Sequence, residues 1–153
     1  MENETMVNGN LVPAFMLKDQ DGNTFSSADY IGKKKMVIYF YPKDESAICT
    51  KEACAFRDSY ADYMDAGAIV IGINGGTVES HKAFQKHHRL PFTLLSDPDN
   101  QVLKSFGIKN LLFLTGRETF VVDLNGEIVF RFRGFLNGSD HSKKVLNFLN
   151  DVR

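Results

Sequence analysis

The chain has 153 residues, 43% of them hydrophobic and 24% charged, and its 18 basic and 19 acidic side chains leave a net charge of -1. A chain of this size buries roughly 70% of its unfolded surface, so one core can form without disulfide staples. The balanced charge leaves no footprint for nucleic acid or an anionic membrane, and apolar runs such as Met36-Val37-Ile38-Tyr39-Phe40-Tyr41 fall far short of the roughly 20 residues that span a bilayer.

Residues 1–10 read as a polar tail with neither the basic and apolar regions of a secretory signal nor the Arg-rich character of a transit peptide. The expectation is a cytosolic chain with one domain over residues 11–153. Ala14 to Leu17, the Asp21-Gly22 pair and Thr24-Phe25 predict a hairpin, because Asp-Gly supplies the positive φ of a tight turn. Lys35 to Tyr41 is a continuous β-rich apolar run stopped by Pro42, as in a strand buried on both faces. From Cys49 to Asp65 no Gly or Pro intervenes, and Ala53, Phe56, Tyr60, Tyr63 and Met64 recur at helical spacing before Gly67, which predicts one amphipathic helix with a glycine stop.

A second buried strand is expected over Ala68 to Ile73, then a helix over Thr77 to His88 with Thr77 and Ser80 as candidate caps. A third strand follows at Phe92 to Leu95 and a short helix at Asp97 to Phe106. Thr119 to Asp123 and Glu127 to Arg133 predict strands around the Asn125-Gly126 turn, and residues 139–152 a closing helix. This order specifies an α/β architecture resembling the thioredoxin fold: a central mixed sheet flanked by helices, with an N-terminal hairpin extension.

The chemistry centres on two cysteines, Cys49 and Cys54. Cys49 follows the loop Pro42-Lys43-Asp44-Glu45-Ser46-Ala47-Ile48 at the first turn of a predicted helix, where unpaired N–H groups and the positive dipole end favour an anion. A lowered thiol pKa is expected there, and the thiolate is the nucleophile of cysteine redox chemistry. The plainer alternative is a small buried hydrophobe. Five residues along an ideal helix place two Cα atoms about 8.6 Å apart, beyond the roughly 7 Å that a disulfide tolerates. A Cys49–Cys54 bond therefore requires the helix to unwind. The spacing also departs from structural zinc pairs and from Cys-x-x-Cys reductases.

The segment Tyr39-Phe40-Tyr41-Pro42-Lys43-Asp44, followed by Cys49-Thr50-Lys51-Glu52-Ala53-Cys54-Ala55-Phe56-Arg57-Asp58, resembles the active-site segment of peroxiredoxins of the Q, or bacterioferritin-comigratory, type. Phe92 to Asp97, Gly116 to Asp123 and the helix after His141 resemble the same family, and the likeness covers residues 11–150. The family pattern Pro-x-x-x-Thr-x-x-Cys is met by Pro42, Ser46 and Cys49, with serine keeping the hydroxyl. Ala47-Ile48 replaces the Pro-Gly usual before this cysteine, and Ile48 is expected to narrow or grease the entrance.

The resemblance implies a thiol-dependent peroxidase in which Cys49 attacks hydrogen peroxide or an organic hydroperoxide and Cys54 resolves the sulfenic acid as an intramolecular disulfide. It implies that Arg117 lowers the Cys49 pKa and polarises the peroxide, and that Glu52 helps to hold Arg117. It further implies recycling by thioredoxin or a similar dithiol, a monomer, and no metal or organic cofactor. Two rivals use the same residues: a general thiol–disulfide oxidoreductase, and a non-catalytic redox sensor or binding protein in which helix unwinding is the signal.

His81, His87, His88 and His141 read as surface residues, with adjacent His87 and His88 expected on different sides of a helix. Arg131 and Arg133, alternating with Phe130 and Phe132, read as a solvated basic face. Gly72-x-Asn74-Gly75-Gly76 lacks the spacing of a phosphate loop.

Overall fold

The computed structural model describes residues 9–108, 118–133 and 145–150, and in it the run from Lys35 lies in the middle of a mixed sheet. The hairpin strands are β1 (Met16–Asp19) and β2 (Thr24–Ser26). Next come β3 (Lys35–Phe40), α1 (Ala47–Asp58), α2 (Tyr60–Asp65) and β4 (Ala68–Asn74). They are followed by α3 (Val78–His88), β5 (Thr93–Ser96) and α4 (Gln101–Ser105). The strands β6 (Glu118–Val122) and β7 (Ile128–Arg133) and a helix α5 over residues 145–150 complete the described chain. The strand order is β2-β1-β5-β4-β3-β6-β7.

β3 pairs in parallel with β4 from Lys35↔Ala68 to Phe40↔Ile73, and β4 in parallel with β5. β6 runs antiparallel to β3, and the hairpin docks through β1 against β5. Period-2 alternation then divides the core in two. Val37 and Tyr39 face a layer built from Ala53, Phe56, Tyr63, Phe84 and Leu149, on α1, α2, α3 and α5. Met36, Ile38 and Phe40 face the other way, onto Val102, Leu103 and Phe106 and onto Phe15 and Phe25 of the N-terminal hairpin region. β3 is hydrophobic from Met36 to Phe40 because both of its faces are covered, and each such side chain contributes roughly 1.5–3 kcal/mol by leaving water.

Two expectations are corrected. The single helix over Cys49 to Asp65 is two helices: Ser59 (φ -104°, ψ 11°) ends α1, and its carbonyl accepts from Asp62 and Tyr63 as α2 starts. The break is a backbone turn at Ser59, whose side chain makes no capping hydrogen bond to α2, and the apolar spacing does not register it. α1 also begins two residues early, at Ala47, because Ser46 serves as its N-cap. The short helix expected over Asp97 to Phe106 is α4, Gln101–Ser105, after a 3-10 turn at Pro98–Asn100, and the buried Asp97 carboxylate accepts from the Val102 and Leu103 N–H groups, both at 3.0 Å. The backbones of Gly9 and Asn10 hydrogen-bond with Ile128. Among the described residues no helix is long and apolar enough to cross a membrane.

Gly72 in β4 permits close packing in the core. A Cβ there would lie 2.9 Å from Tyr39 Cζ, Tyr39 Oη and Leu94 Cδ2. The Tyr39 ring stacks on Phe56 at 4.7 Å, and its buried hydroxyl has no hydrogen-bond partner among the described residues. Gly72→Ala is therefore expected to destabilise the protein by about 1–3 kcal/mol through overpacking. Tyr39→Phe, which removes an unsatisfied hydroxyl, is expected to be neutral or stabilising in the same urea-denaturation measurement.

Candidate active site

The parallel strands β3, β4 and β5 end on one edge of the sheet, the place where open α/β sheets gather functional groups. β3 releases the chain there into the 41–46 loop, and the loop turns directly into α1. Ser46, extended at φ -68° and ψ 151°, accepts the Cys49 N–H at 3.3 Å, and its hydroxyl donates to the Lys43 carbonyl at 3.3 Å. Cys49 is thus the third residue of α1, inside the turn where backbone N–H groups and the helix dipole favour a thiolate. The replacement at Ala47-Ile48 leaves this helix start intact, with Ala47 exposed and Ile48 half-buried.

Cys49 is only 1% exposed and packs in the core layer with Tyr39, Tyr41, Ala53 and Phe56. Glu52, one turn on, is fully buried on the same side of α1. Cys54 is half-buried, and neither it nor Cys49 is in a disulfide. Pro42 is half-buried at the loop entrance. Arg117 lies outside the described residues. The described chain resumes at Glu118, whose backbone pairs with Phe40 at the site end of β3. The site thus assembles Pro42, Ser46, Cys49 and Glu52 from one loop and one helix.

Sequence reading missed the group that fixes this loop. Asp44 is buried, and its carboxylate accepts from Tyr41 Oη at 2.6 Å, Ser80 Oγ at 2.7 Å and His81 Nδ1 at 2.6 Å. His81 Nε2 faces the Asn74 carbonyl at 3.3 Å, and Asn74 Nδ2 donates to the Tyr41 carbonyl at 2.8 Å. The loop is thereby tied to the tip of β4 and the first turn of α3. Burial alone would raise the Asp44 pKa, but the hydrogen bonds from His81 and Tyr41, the His81 charge and the Ser80 hydroxyl together lower it. Burial, followed by the charge of Glu52 and then of Cys49, pushes the Tyr39 hydroxyl well above its ordinary value. Tyr41 is raised too, chiefly by burial, and so keeps the proton that it donates to Asp44.

Three readings are corrected, while His87 is exposed as expected and His141 lies outside the described residues. His81 is fully buried, and its spacing from Phe84, three residues on, is the signal that could have shown it on the inner stripe of α3. His87 and His88 do not diverge: their ring centroids are 4.1 Å apart and both rings contact Glu45. Arg131 is not on a solvated face, because it donates to the buried Glu118 at 3.3 Å and 3.5 Å. A cleft of about 430 Å³ opens beside the loop between Pro42, Asp44, Asn74, Gly76 and Asn100.

Residues 8–131 match the model of the AhpC/TSA family. The chain is 47% identical over 146 residues to the chloroplastic peroxiredoxin Q of Suaeda salsa, covering 94% of this chain and 68% of that one. It is 48% identical to the corresponding protein of Triticum aestivum, covering 94% and 67%. Among solved structures, the peroxidoxin BcpB of Mycobacterium tuberculosis superposes with a TM-score of 0.90 at 31% identity, covering 97% of this chain and 99% of that one. A bacterioferritin comigratory protein of Xanthomonas campestris, solved to explain its alkyl peroxide reduction activity, superposes at 0.82 with 28% identity over 90% and 91%.

The Asp44 network carries a pH signature. A carboxylate whose folded pKa is depressed contributes stability that is complete above its unfolded value, about pH 4, and that is lost as pH falls through the lower folded value. Asp44→Asn is expected to cost roughly 1.5–3 kcal/mol at neutral pH, the scale of hydrogen bonds to a charged group. In urea denaturation across pH, the gap between wild type and variant should stay constant from pH 7 to about pH 5 and close below pH 4.

Proposed function

The chain belongs to the AhpC/TSA family and is a thiol-dependent peroxidase of the peroxiredoxin Q kind, and we propose that Cys49 is its peroxidatic cysteine and Cys54 its resolving one. The observation that carries the assignment is the place of Cys49 in the first turn of α1, capped by Ser46 and packed against a loop anchored by Asp44. The Cys49 thiolate attacks the terminal oxygen of a peroxide ROOH. The O–O bond breaks, an S–O bond forms, and the RO⁻ fragment leaves as ROH after taking a proton. Arg117 is assigned the fixed positive charge that stabilises the thiolate and the departing oxygen, with Glu52 as the carboxylate that helps to hold it. Pro42 and Ser46 shape the loop around the entering peroxide.

The resulting sulfenic acid is out of reach of the Cys54 thiol while α1 is intact. Unwinding of the first turns lets the Cys54 sulfur attack the Cys49 sulfur, expelling water and forming the disulfide. A thiol reductant then restores both cysteines by two exchange steps, ending with its own disulfide. We assign that reductant to thioredoxin or a similar dithiol protein, and the substrate range to hydrogen peroxide and organic hydroperoxides. The remaining assignments are a single domain over residues 11–153 that works as a monomer in the cytosol; an intramolecular cysteine pair supports the monomer, since it needs no second chain.

Intact-mass spectrometry and peroxide consumption with a thioredoxin system test the assignment in wild type, Cys49→Ser and Cys54→Ser. Wild type is expected to turn over and to lose two hydrogens when oxidised, Cys49→Ser to consume no peroxide above the buffer rate, and Cys54→Ser to stop after one equivalent as a sulfenic acid. Turnover that survives in Cys49→Ser would refute its role, and an unchanged catalytic cycle in Cys54→Ser would refute the resolving role.

A further inference from the structure

Glu45 lies in the loop between β3 and α1 with a left-handed backbone, φ 63°, unusual for a residue with a Cβ. Its side chain reaches the last two residues of α3. Oε2 contacts His87 Nδ1 at 2.9 Å and Oε1 contacts His88 Nε2 at 2.7 Å. One ligand atom from each of the three residues lies within 4.8 Å of the other two. Neighbouring residues on a helix normally diverge by about 100°, and these two converge because His87 offers the nitrogen nearest its backbone while His88 offers the one at the far end of its ring.

We propose that Glu45, His87 and His88 form a binding site for a divalent transition metal of the zinc class, which clips the loop ahead of Cys49 to the end of α3. Two imidazoles and a carboxylate are the donor set that suits Zn²⁺, with bonds of about 2.0–2.2 Å and a fourth position left to water. Tetrahedral bonds of that length put ligand atoms about 3.3 Å apart, a few tenths of an ångström from the two present Glu45 contacts. The metal therefore replaces the protons now shared between carboxylate and imidazoles. His87 and Glu45 are exposed and His88 is half-buried, so the site is open to entry from solvent. One cation beside the site, Arg57, donates to the His88 carbonyl at 2.8 Å and is paired with Asp58 at 2.9 Å, which offsets its charge.

The position gives the site a consequence. Glu45 precedes Cys49 by four residues, and a metal bond from residue 45 to α3 opposes the unwinding that a Cys49–Cys54 disulfide requires. Occupancy slows the resolving step and leaves helix α1 intact. This consequence rests on the roles assigned to Cys49 and Cys54, whereas metal binding itself does not.

Calorimetric titration of Zn²⁺ into a Cys49→Ser/Cys54→Ser protein removes the thiolates as competing ligands. One Zn²⁺ per chain is expected to bind, and adding His87→Ala/His88→Ala should weaken it by more than the roughly 10–100-fold that outer-sphere partners contribute at metal sites. Equal binding by both proteins, or none by the parent, would overturn the site. In a second experiment, proteins with both cysteines receive one equivalent of peroxide, and disulfide formation is followed by intact mass with and without Zn²⁺. The rate should fall several-fold with Zn²⁺ in wild type and stay unchanged in His87→Ala/His88→Ala. An equal response in the two proteins would overturn the clip while leaving the titration result standing. Failure of wild type to oxidise even without Zn²⁺ would instead count against the peroxidase roles.

Discussion

In the roles proposed for Cys49 and Cys54, a helix that is intact at Cys49 both favours its thiolate and isolates it from the second thiol. The first turn of α1 supplies the unpaired N–H groups and dipole that favour a thiolate. Five residues along an ideal helix lie about 8.6 Å apart, too far for a disulfide, so the same helix keeps Cys49 and Cys54 from joining. In the proposed cycle, activation and resolution therefore demand opposite states of one short segment. The structure around it meets that demand by being firm on both sides of the segment and weaker within it.

The firm side ahead of the helix is Asp44. Three donors from two elements converge on its buried carboxylate, and Asn74 joins the tips of β3 and β4 alongside. Removing any one donor leaves a buried charge short of a partner, so the network holds as a unit. Behind the segment, Ala53 and Phe56 lock α1 into the core layer under the sheet. Between the two, the Ser46 cap is made of two contacts of 3.3 Å, worth about 1 kcal/mol, and is the easiest part to release. The Glu45 contacts to α3 fall in the same interval on the exposed side, where a bound ion can alter the balance without touching the core.

Much of the architecture was legible in the chain because it follows from local pattern. The apolar run from Lys35, the alternation that splits the two core layers, the Asp-Gly and Asn-Gly turns and the Gly67 stop each record what a segment does with its own side chains. The family likeness was carried by Pro42, Ser46, Cys49 and the residues after them for the same reason, since they are contiguous along one loop and one helix. The break at Ser59 escaped because a serine that ends a helix leaves the apolar periodicity on either side undisturbed.

The sequence by itself determined the α/β order, the central strand, the two cysteines and the spacing that forbids their union in an intact helix. Only the tertiary structure decided what holds the reactive turn. Asp44 meets His81 across 37 residues, Glu45 meets His88 across 43, and Glu118 meets Arg131 across 13. Each polar side chain is unremarkable where it stands, and its partner follows from which strands lie side by side and which helix ends above them. Periodicity reports the face of an element that is buried, whereas the partner on that face is chosen by strand order and register, which depend on the whole chain.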